Sequence, residues 1–399
     1  MGLRIVVVAV SLFSFLHAGT LRRVPPAGTL AGFIARTEAI ADTGERRKAA
    51  AAFMEEVRQS GGPLTEDSTV SFVFEGRASR VSVASDLNGW NPRADTLKRL
   101  RGTEFFYVSL RAEPAARFEY KLIVDSTWIL DPVNSRQAMG GYGPNSEVTM
   151  PLYRPPQEII ARTGVPRGTL DTLLFRSTLL GRAHPLIVYL PPRYASTGAP
   201  HPVLFVLDGG EYLGLGLMNV VLDNLIADDA IEPPVCVFLD PRTNPGNPQT
   251  STRMKDYTMS DSFVAALVTE IRPFLLQKYR ITGEAARTGI MGASLGGLAA
   301  LHASFERPDV FGLCAAQSGA LWWQESRLLR RIEQEPVKPF RVYLDTGTMR
   351  DAQDESRRAR AILTARGYQL HYEEHPEGHN WFNWRARIGS ILRYFWGNR

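Results

Sequence analysis

The chain has 399 residues, a length that favours two domains at about 100 to 200 residues each. Its hydrophobic fraction of 44% and charged fraction of 22% are typical of a globular protein, so wholesale disorder and a polytopic membrane protein are both excluded. The net charge of +5 is spread along the chain without a block of like charges, and it therefore predicts no nucleic-acid partner.

The first residues predict an export signal over residues 1–19. Arg4 precedes an apolar run over residues 5–16, and small residues follow it, which is the order of regions in a signal peptide. The run is too short for a membrane-spanning helix, which needs about 20 residues. We therefore expect a periplasmic or secreted protein with no membrane span after cleavage. The alternative interpretation is a buried N-terminal helix.

Residues 20–65 are predicted to form a helical N-terminal segment. The stretch 30–60 is rich in Ala, Glu and Arg, all of which are good helix formers. It ends at Gly61-Gly62-Pro63, a strong helix stop. We expect one or two helices here, without an assigned role.

The pattern then changes to short runs of period two, which predicts a small all-β unit over 66–152. Turn residues such as Asn88-Gly89 separate these runs. A proline-bearing stretch at 151–156 marks the end of the unit and predicts a linker over 153–174.

Beyond the linker, apolar strand candidates alternate regularly with helical stretches. This alternation predicts an α/β domain over 175–399, with a mostly parallel sheet and helices on both faces. The two cysteines of the chain, Cys236 and Cys314, each lie within an apolar run. We expect two buried thiols, with a disulfide as the alternative.

The pentapeptide 292–296, Gly-Ala-Ser-Leu-Gly, is the strongest chemical signal in the chain. It stands between a strand candidate and a helix candidate, the strand, sharp turn and helix that a nucleophile elbow requires. The helix N-terminus favours the negative charge that develops during acyl transfer. Ser294 is therefore the predicted nucleophile, the alternative being a glycine-rich turn without a catalytic role.

The base of such a nucleophile should follow it in the chain, after the acid. Four histidines lie downstream of the elbow: His302, His371, His375 and His379. His379 is the predicted base, because it lies in a loop after the last strand candidate and before a C-terminal helix. The last three histidines are spaced by four, but Pro376 and Gly378 would break a helix there, so no metal site is predicted.

The acid should lie in the loop after the preceding strand candidate, which ends in Gly347. Asp351 is the first choice and Asp354 the second, because this loop can reach the histidine. The backbone amides of Gly210 and Leu295 are the predicted oxyanion donors, since Gly210 follows an earlier strand candidate and Leu295 follows the nucleophile.

Residues 175–399 resemble the esterase D and antigen 85 superfamily of α/β hydrolases, which includes carbohydrate esterases of family 1 and enterochelin esterases. The matching pieces are IVYLPPRY, LDGG, GASLGG, YLDTGT and GHNWFNWR, together with Arg253 and Asp256-Tyr257. In antigen 85 relatives the acid lies four residues after the glycine of the GT pair, which is Asp351 here. In enterochelin esterases it lies three residues after, where this chain has Arg350.

The predicted all-β segment over 66–152 resembles the early-set, immunoglobulin-like carbohydrate-binding modules of family 48, through ASDLNGWNP, FEYKLIVDSTWILDP and GPNSEV. The resemblance implies a β-sandwich that grips sugar through stacking and hydrogen bonds. The implied binding residues are Trp90, Lys121, Trp128 and Asn145. The alternative is a sandwich that only docks against the catalytic domain.

Together the two resemblances imply an α/β hydrolase preceded by an immunoglobulin-like sandwich and short helices. The implied function is an exported serine esterase that removes feruloyl or acetyl groups from polysaccharide or a small ester, without metal or organic cofactor. An enterochelin-type siderophore esterase, an acyltransferase and a non-catalytic carbohydrate-binding protein remain alternatives. Aromatic residues near the predicted site are candidates for an acyl pocket, with ordinary packing as the alternative: Trp322, Trp323 and Trp381. The oligomeric state is left open.

Overall fold

The computed structural model describes residues 29–141, 143–196, 198–242 and 248–398. The predicted export signal lies in residues 1–28, outside the described residues. Within the described ranges, no helix combines the length and the apolar character that crossing a membrane requires.

The stretch rich in helix formers folds into two helices, α1 (Leu30–Ala39) and α2 (Thr43–Ser60). Thr29 caps α1 by accepting a hydrogen bond from the Gly32 amide, and Asp42 caps α2 in the same way. Helix α2 ends at Gly61 in the left-handed conformation, where a residue without Cβ is least strained. Local capping therefore accounts for where both helices begin and for where α2 ends.

The next segment of the chain forms short strands in two antiparallel sheets, with one 3₁₀ turn at Asp86–Asn88. Its strands are β1 (Leu64–Glu66), β2 (Thr69–Glu75), β3 (Val81–Ser85), β4 (Asp95–Thr96), β5 (Lys98–Arg99), β6 (Phe105–Arg111), β7 (Arg117–Val124), β8 (Thr127–Ile129), β9 (Gln137–Gly140) and β10 (Gly143–Thr149). One sheet has the order β1-β2-β6-β5. The other has the order β4-β3-β7-β10-β9, with β8 also paired to β7. We call residues 64–149 the β unit.

The two sheets of the β unit share one core. Phe72 of the first sheet and Val83, Phe118 and Tyr120 of the second are fully buried in it. The alternation predicted from sequence explains this, since every second side chain of each strand faces the opposite sheet.

Helices α1 and α2 cover the other face of the first sheet. Phe33 and Phe53 stack with ring centroids 4.0 Å apart, and both meet the edge of Phe105 in β6. This second core, which also contains Val73 and Val133, joins the helices to the β unit.

The remainder of the chain is built on an eight-stranded sheet. Its strands are β11 (Thr169–Ser177), β12 (Arg182–Leu190), β13 (Val203–Leu207), β14 (Val235–Leu239), β15 (Thr288–Ala293), β16 (Leu313–Gln317), β17 (Arg341–Gly347) and β18 (Leu370–His375). The order is β11-β12-β14-β13-β15-β16-β17-β18. Strand β12 is antiparallel to its two neighbours, β11 and β14, and the other pairs are parallel.

The predicted linker over 153–174 and the predicted domain start at residue 175 need correction. Strand β11 begins at Thr169, because it pairs with β12 along its whole length. The segment before it is also anchored, since Asn224 donates hydrogen bonds to the carbonyl groups of Glu158 and Ile160.

Helices pack on both faces of this sheet, as the alternation of strand and helix predicted. They are α3 (Gly209–Gly214), α4 (Met218–Ala227), α5 (Arg253–Tyr257), α6 (Asp261–Ala266), α7 (Arg272–Lys278), α8 (Leu295–Glu306), α9 (Trp323–Gln334), α10 (Gln353–Ala365) and α11 (Trp381–Trp396), with a π-helical segment at Leu267–Ile271 between α6 and α7. Strand β13 contributes Phe205 to the core with α8 and Val206 to the core with α4 and α11. Cys236 and Cys314 are buried and unpaired in this sheet, as predicted.

We expect Phe53→Ala to lower the free energy of unfolding by about 3–5 kcal/mol, because it removes a buried ring from the core that joins α2 to β6. Chemical denaturation of the full chain measures this loss. Leu152→Ala is the control, since Leu152 is 61% exposed and should change stability by less than about 0.5 kcal/mol. Equal stability of the two variants would contradict an integral role for the helices.

Candidate active site

Ser294 stands at a strained turn between β15 and α8. Its φ and ψ angles are 58° and −120°, a backbone conformation that a non-glycine residue rarely adopts. The flanking glycines make the turn possible, because a Cβ on Gly292 would lie 2.5 Å from the carbonyl carbon of Gly296. The Ser294 amide donates to the Gln317 carbonyl at 2.9 Å, which ties the turn to the end of β16.

His379 and Asp351 are joined by a hydrogen bond of 2.6 Å between Nδ1 and Oδ1. The His379 side chain is 42% exposed, whereas the Asp351 side chain is 0% exposed. With Nδ1 held by the carboxylate, Nε2 of the imidazole is left to face a reacting group. The second-choice acid, Asp354, is exposed in the first turn of α10.

Asp351 stays charged although it is buried. Burial acts to raise the pKa of this carboxyl, but hydrogen bonds to the carboxylate and the charge of His379 outweigh it and lower the pKa below its usual value. Ser318 Oγ and the Gly347 amide each donate to Oδ2 at 2.6 Å. The carboxylate can therefore orient the imidazole and stabilise its protonated form.

The topology places these groups at one edge of the sheet, because the carboxyl ends of neighbouring parallel strands lie at the same edge. Ser294, Ser318, Asp351 and His379 follow four neighbouring strands, β15 to β18. Trp384 supports two of them, donating to Ser318 Oγ at 3.0 Å and meeting the His379 ring edge-on at 4.9 Å. The sequence analysis predicts no supporting role for Ser318 or Trp384, although the Ser-Gly pair at a strand end is a usable signal for Ser318.

The predicted oxyanion donors lie at the starts of two helices. Gly210 is in the first turn of α3 and Leu295 begins α8, and amides at such positions have no partner within their own helix. Arg253 links the two turns, since it donates two hydrogen bonds of 2.8 Å to buried Asp208 and one of 3.1 Å to the Ala293 carbonyl. The sequence marked Arg253 only as part of a resemblance.

The three tryptophans predicted for an acyl pocket occupy different environments. Trp322 is 52% exposed, and Trp323 is half-buried against the core. Trp381 is only 7% exposed, and its ring packs edge-on against Tyr212 and Trp384. This packing beside the sheet favours the alternative of an ordinary core residue, and a role for Trp381 in an acyl pocket stays a prediction.

Two of the four predicted sugar-binding residues are hydrogen bonded within the β unit, and the other two are exposed or half-buried. Trp90 Nε1 donates to Asp86 at 2.9 Å, and Asn145 Nδ2 donates to Glu119 at 2.8 Å. Trp128 is 46% exposed on β8, and Lys121 is half-buried on β7. Strand register puts Lys121, Trp128 and Asn145 on the outer face of the second sheet. Sugar binding stays a prediction.

The other histidines downstream of Ser294 lie away from this arrangement. His371 and His375 share a face of β18, and both pair with Glu373, at 2.7 and 2.9 Å. His302 is buried in α8, and its Nε2 faces Asp261 at 3.2 Å. Among the residues that the structure describes, no group of three or more His, Cys, Asp or Glu side chains is arranged to hold a metal ion.

Comparison with known proteins gives a consistent picture. The profile of the family described as "Putative esterase" matches residues 177–395. The iron(III) enterobactin esterase of Dickeya dadantii is 25% identical over 438 aligned positions, which cover 92% of this chain and 97% of that protein.

Solved structures show the same fold at low identity. The ferric enterobactin esterase of Salmonella typhimurium superposes with a TM-score of 0.72 at 20% identity, covering 86% of this chain and 98% of that one. A ferulic acid esterase of Anaeromyces mucronatus gives a TM-score of 0.51 at 19% identity, over 61% of this chain and 96% of that one. The eight-stranded sheet with its helices is thus an α/β hydrolase fold.

Asp345, beneath the site in β17, should make stability depend on pH. Burial raises the pKa of this carboxyl from 3.8 to about 8, although Gln317 donates to it. Between these values the folded chain keeps a proton that the unfolded chain has lost, so the free energy of unfolding should fall as pH rises from 4 to 8. Asp345→Asn should flatten this fall, as measured by urea denaturation at each pH.

Asp354→Asn is the control for this experiment, because it removes an exposed aspartate and should leave the wild-type slope. A stability curve for Asp345→Asn that runs parallel to the wild-type curve would show that the carboxyl is already ionised in the folded chain.

Proposed function

The chain belongs to the esterase family, and from that membership we propose that it hydrolyses carboxylic esters with Ser294 as nucleophile, His379 as base and Asp351 as acid. The observation that carries the proposal is the 2.6 Å hydrogen bond between His379 and buried Asp351, formed at the sheet edge where Ser294 occupies its strained turn.

The proposed reaction proceeds through an acyl-enzyme. Ser294 Oγ attacks the ester carbonyl while His379 Nε2 takes its proton, and the same proton then passes to the leaving alcohol. The amides of Gly210 and Leu295 stabilise the oxyanion in each tetrahedral intermediate. Water then attacks the acyl-enzyme while His379 takes its proton; the bond between the acyl carbon and Ser294 Oγ breaks, the proton passes to Oγ, and the acid product leaves.

For the substrate we propose a catecholate siderophore ester of the enterobactin type. The supporting observation is the extent of similarity to the Dickeya dadantii esterase, which covers 92% of this chain and so includes the β unit. The siderophore ester thus replaces acylated polysaccharide, which the sequence analysis favoured, as the first candidate substrate. We also propose action outside the cytoplasm, on the strength of the predicted signal.

A feruloyl or acetyl saccharide ester is the second candidate. Two exposed tryptophans favour it, Trp322 beside the site and Trp128 on the outer face of the β unit, because exposed indoles stack on aromatic acyl groups and on sugar rings.

We expect Ser294→Ala to lower kcat by at least about 10⁴-fold and Asp351→Asn by about 10⁴-fold, without loss of the fold. The first change removes the nucleophile, and the second removes the charge that fixes the imidazole tautomer. Steady-state hydrolysis of p-nitrophenyl acetate measures kcat, and circular dichroism measures whether the fold is kept. Asp354→Asn is the matched control and should keep wild-type kcat. Retention of activity by Ser294→Ala would refute the triad.

Substrate choice is tested by measuring kcat/KM for enterobactin, with and without iron(III), beside methyl ferulate and a feruloylated xylo-oligosaccharide. We expect the trilactone to give the highest value. If the saccharide ester is preferred instead, and Trp128→Ala lowers kcat/KM for the saccharide but not for methyl ferulate, the second candidate replaces the first.

A further inference from the structure

The loops that carry His379 and Asp351 both rest on the β unit. These loops follow β18 and β17, and neither is held by the sheet alone. The residues next to the proposed acid and base contact the β unit. The β unit therefore helps to set the positions of both side chains.

Asn380, directly after His379, is held by two side chains of the β unit. Its Nδ2 donates to Asp86 Oδ2 at 3.0 Å, and its Oδ1 accepts from Arg117 Nη1 at 3.1 Å. The Arg117 amide also donates to the Pro376 carbonyl at 3.2 Å. The base loop is thus fixed to the β unit on both sides of the histidine.

The same Asn380 side chain also starts α11. Its Oδ1 accepts from the Phe382 and Asn383 amides at 3.1 Å each, which makes it the N-cap of the helix. Gly378 adjoins this contact, and a Cβ there would overlap Asp86. One side chain therefore couples the β unit to the helix start and to the peptide that bears His379.

Asp86 and Arg117 are themselves immobilised. Asp86 is 4% exposed and also accepts hydrogen bonds from the Glu119 amide and from Trp90 Nε1. Arg117 is fully buried, forms ion pairs of 3.0 Å with Glu119 and Glu147, and lies 3.8 Å from the centre of the Phe382 ring. Both groups are therefore rigid supports.

The acid loop docks on the β unit as well. Met349 is 8% exposed and packs in the core shared by the two sheets, and Gly89 lies beside Arg350. The two loops are also tied together, since the Thr348 amide donates to the His375 carbonyl at 2.8 Å and the Met349 amide to the Glu377 carbonyl at 3.2 Å.

We propose that Asp86 and Arg117 are positioning residues for the reaction, acting through Asn380 to hold His379 in register with Asp351 and Ser294. This inference rests on the proposed triad. A displacement of about 1 Å at a catalytic group can lower the rate about 10²-fold. The hydrogen bonds of Asn380 to Asp86 and Arg117 restrain the loop that bears His379 against such a displacement. On this proposal the β unit contributes to catalysis by positioning His379, whether or not it binds sugar.

Asp86→Asn in the full chain tests the proposal against Asp131→Asn. Both aspartates are buried in the β unit, but Asp131 is hydrogen bonded to Tyr120, Ser146 and Val133, all within that unit. We expect Asp86→Asn to lower kcat for p-nitrophenyl acetate about 10-fold or more, with KM changed less than about twofold. Asp131→Asn should keep wild-type kcat, even if its Tm falls as far.

Asn380→Asp is a second probe that decides the question if Asp86→Asn does not fold. Aspartate caps a helix as well as asparagine does and can still accept from Arg117. It cannot donate to Asp86, and the two carboxylates repel each other, so we again expect kcat to fall with little change in KM. The small activated ester makes this loss independent of any sugar or siderophore contact.

Ser294→Ala, measured in the same assay, separates the two proposals. If it is inactive while Asp86→Asn and Asn380→Asp keep wild-type kcat, the positioning role is overturned and the triad stands. The positioning role is also overturned if Asp131→Asn loses kcat in the same proportion as Asp86→Asn. If Ser294→Ala remains active, the triad is refuted, and the positioning of His379 with it.

Discussion

A carboxylate that is buried and still charged is the constraint on which the proposed site depends. Asp351 has no exposed side-chain surface, and burial alone would favour its neutral form. Donors from Ser318, the Gly347 amide and His379 offset that cost. These donors lie at or after the ends of three different strands, so this stabilisation of the charge depends on β16, β17 and β18 running parallel and side by side.

The nucleophile depends on the same sheet edge in a different way. Ser294 keeps its unfavourable backbone angles because the surrounding structure leaves the turn no alternative. Arg253 contributes to this by joining Asp208 at one helix start to the Ala293 carbonyl at the other. The charges nearest the proposed oxyanion site are thus paired and fixed, which suits stabilisation by preorganised amides.

The β unit completes this arrangement from outside the α/β hydrolase fold. Its second sheet meets the base loop through Asp86 and Arg117, and its core receives Met349 from the acid loop. A β unit of this kind is therefore more than a separate ligand-binding attachment. Its outer face carries Lys121 and Trp128, whose predicted role in sugar binding stays a prediction.

Local sequence was enough to predict the elbow, the base and the loop that holds the acid. A strand, a glycine-rich turn and a helix follow one another around Ser294, and Asp351 and His379 lie in loops after strand candidates, so each could be recognised from its immediate neighbours. Only the tertiary structure placed Asp351, and not Asp354, beside His379 and turned the Trp381 side chain into the core. It also joined Asn380 to Asp86, which lies 294 positions away. The reason is physical: periodicity and capping act over a few residues, whereas these contacts depend on how whole sheets and helices pack.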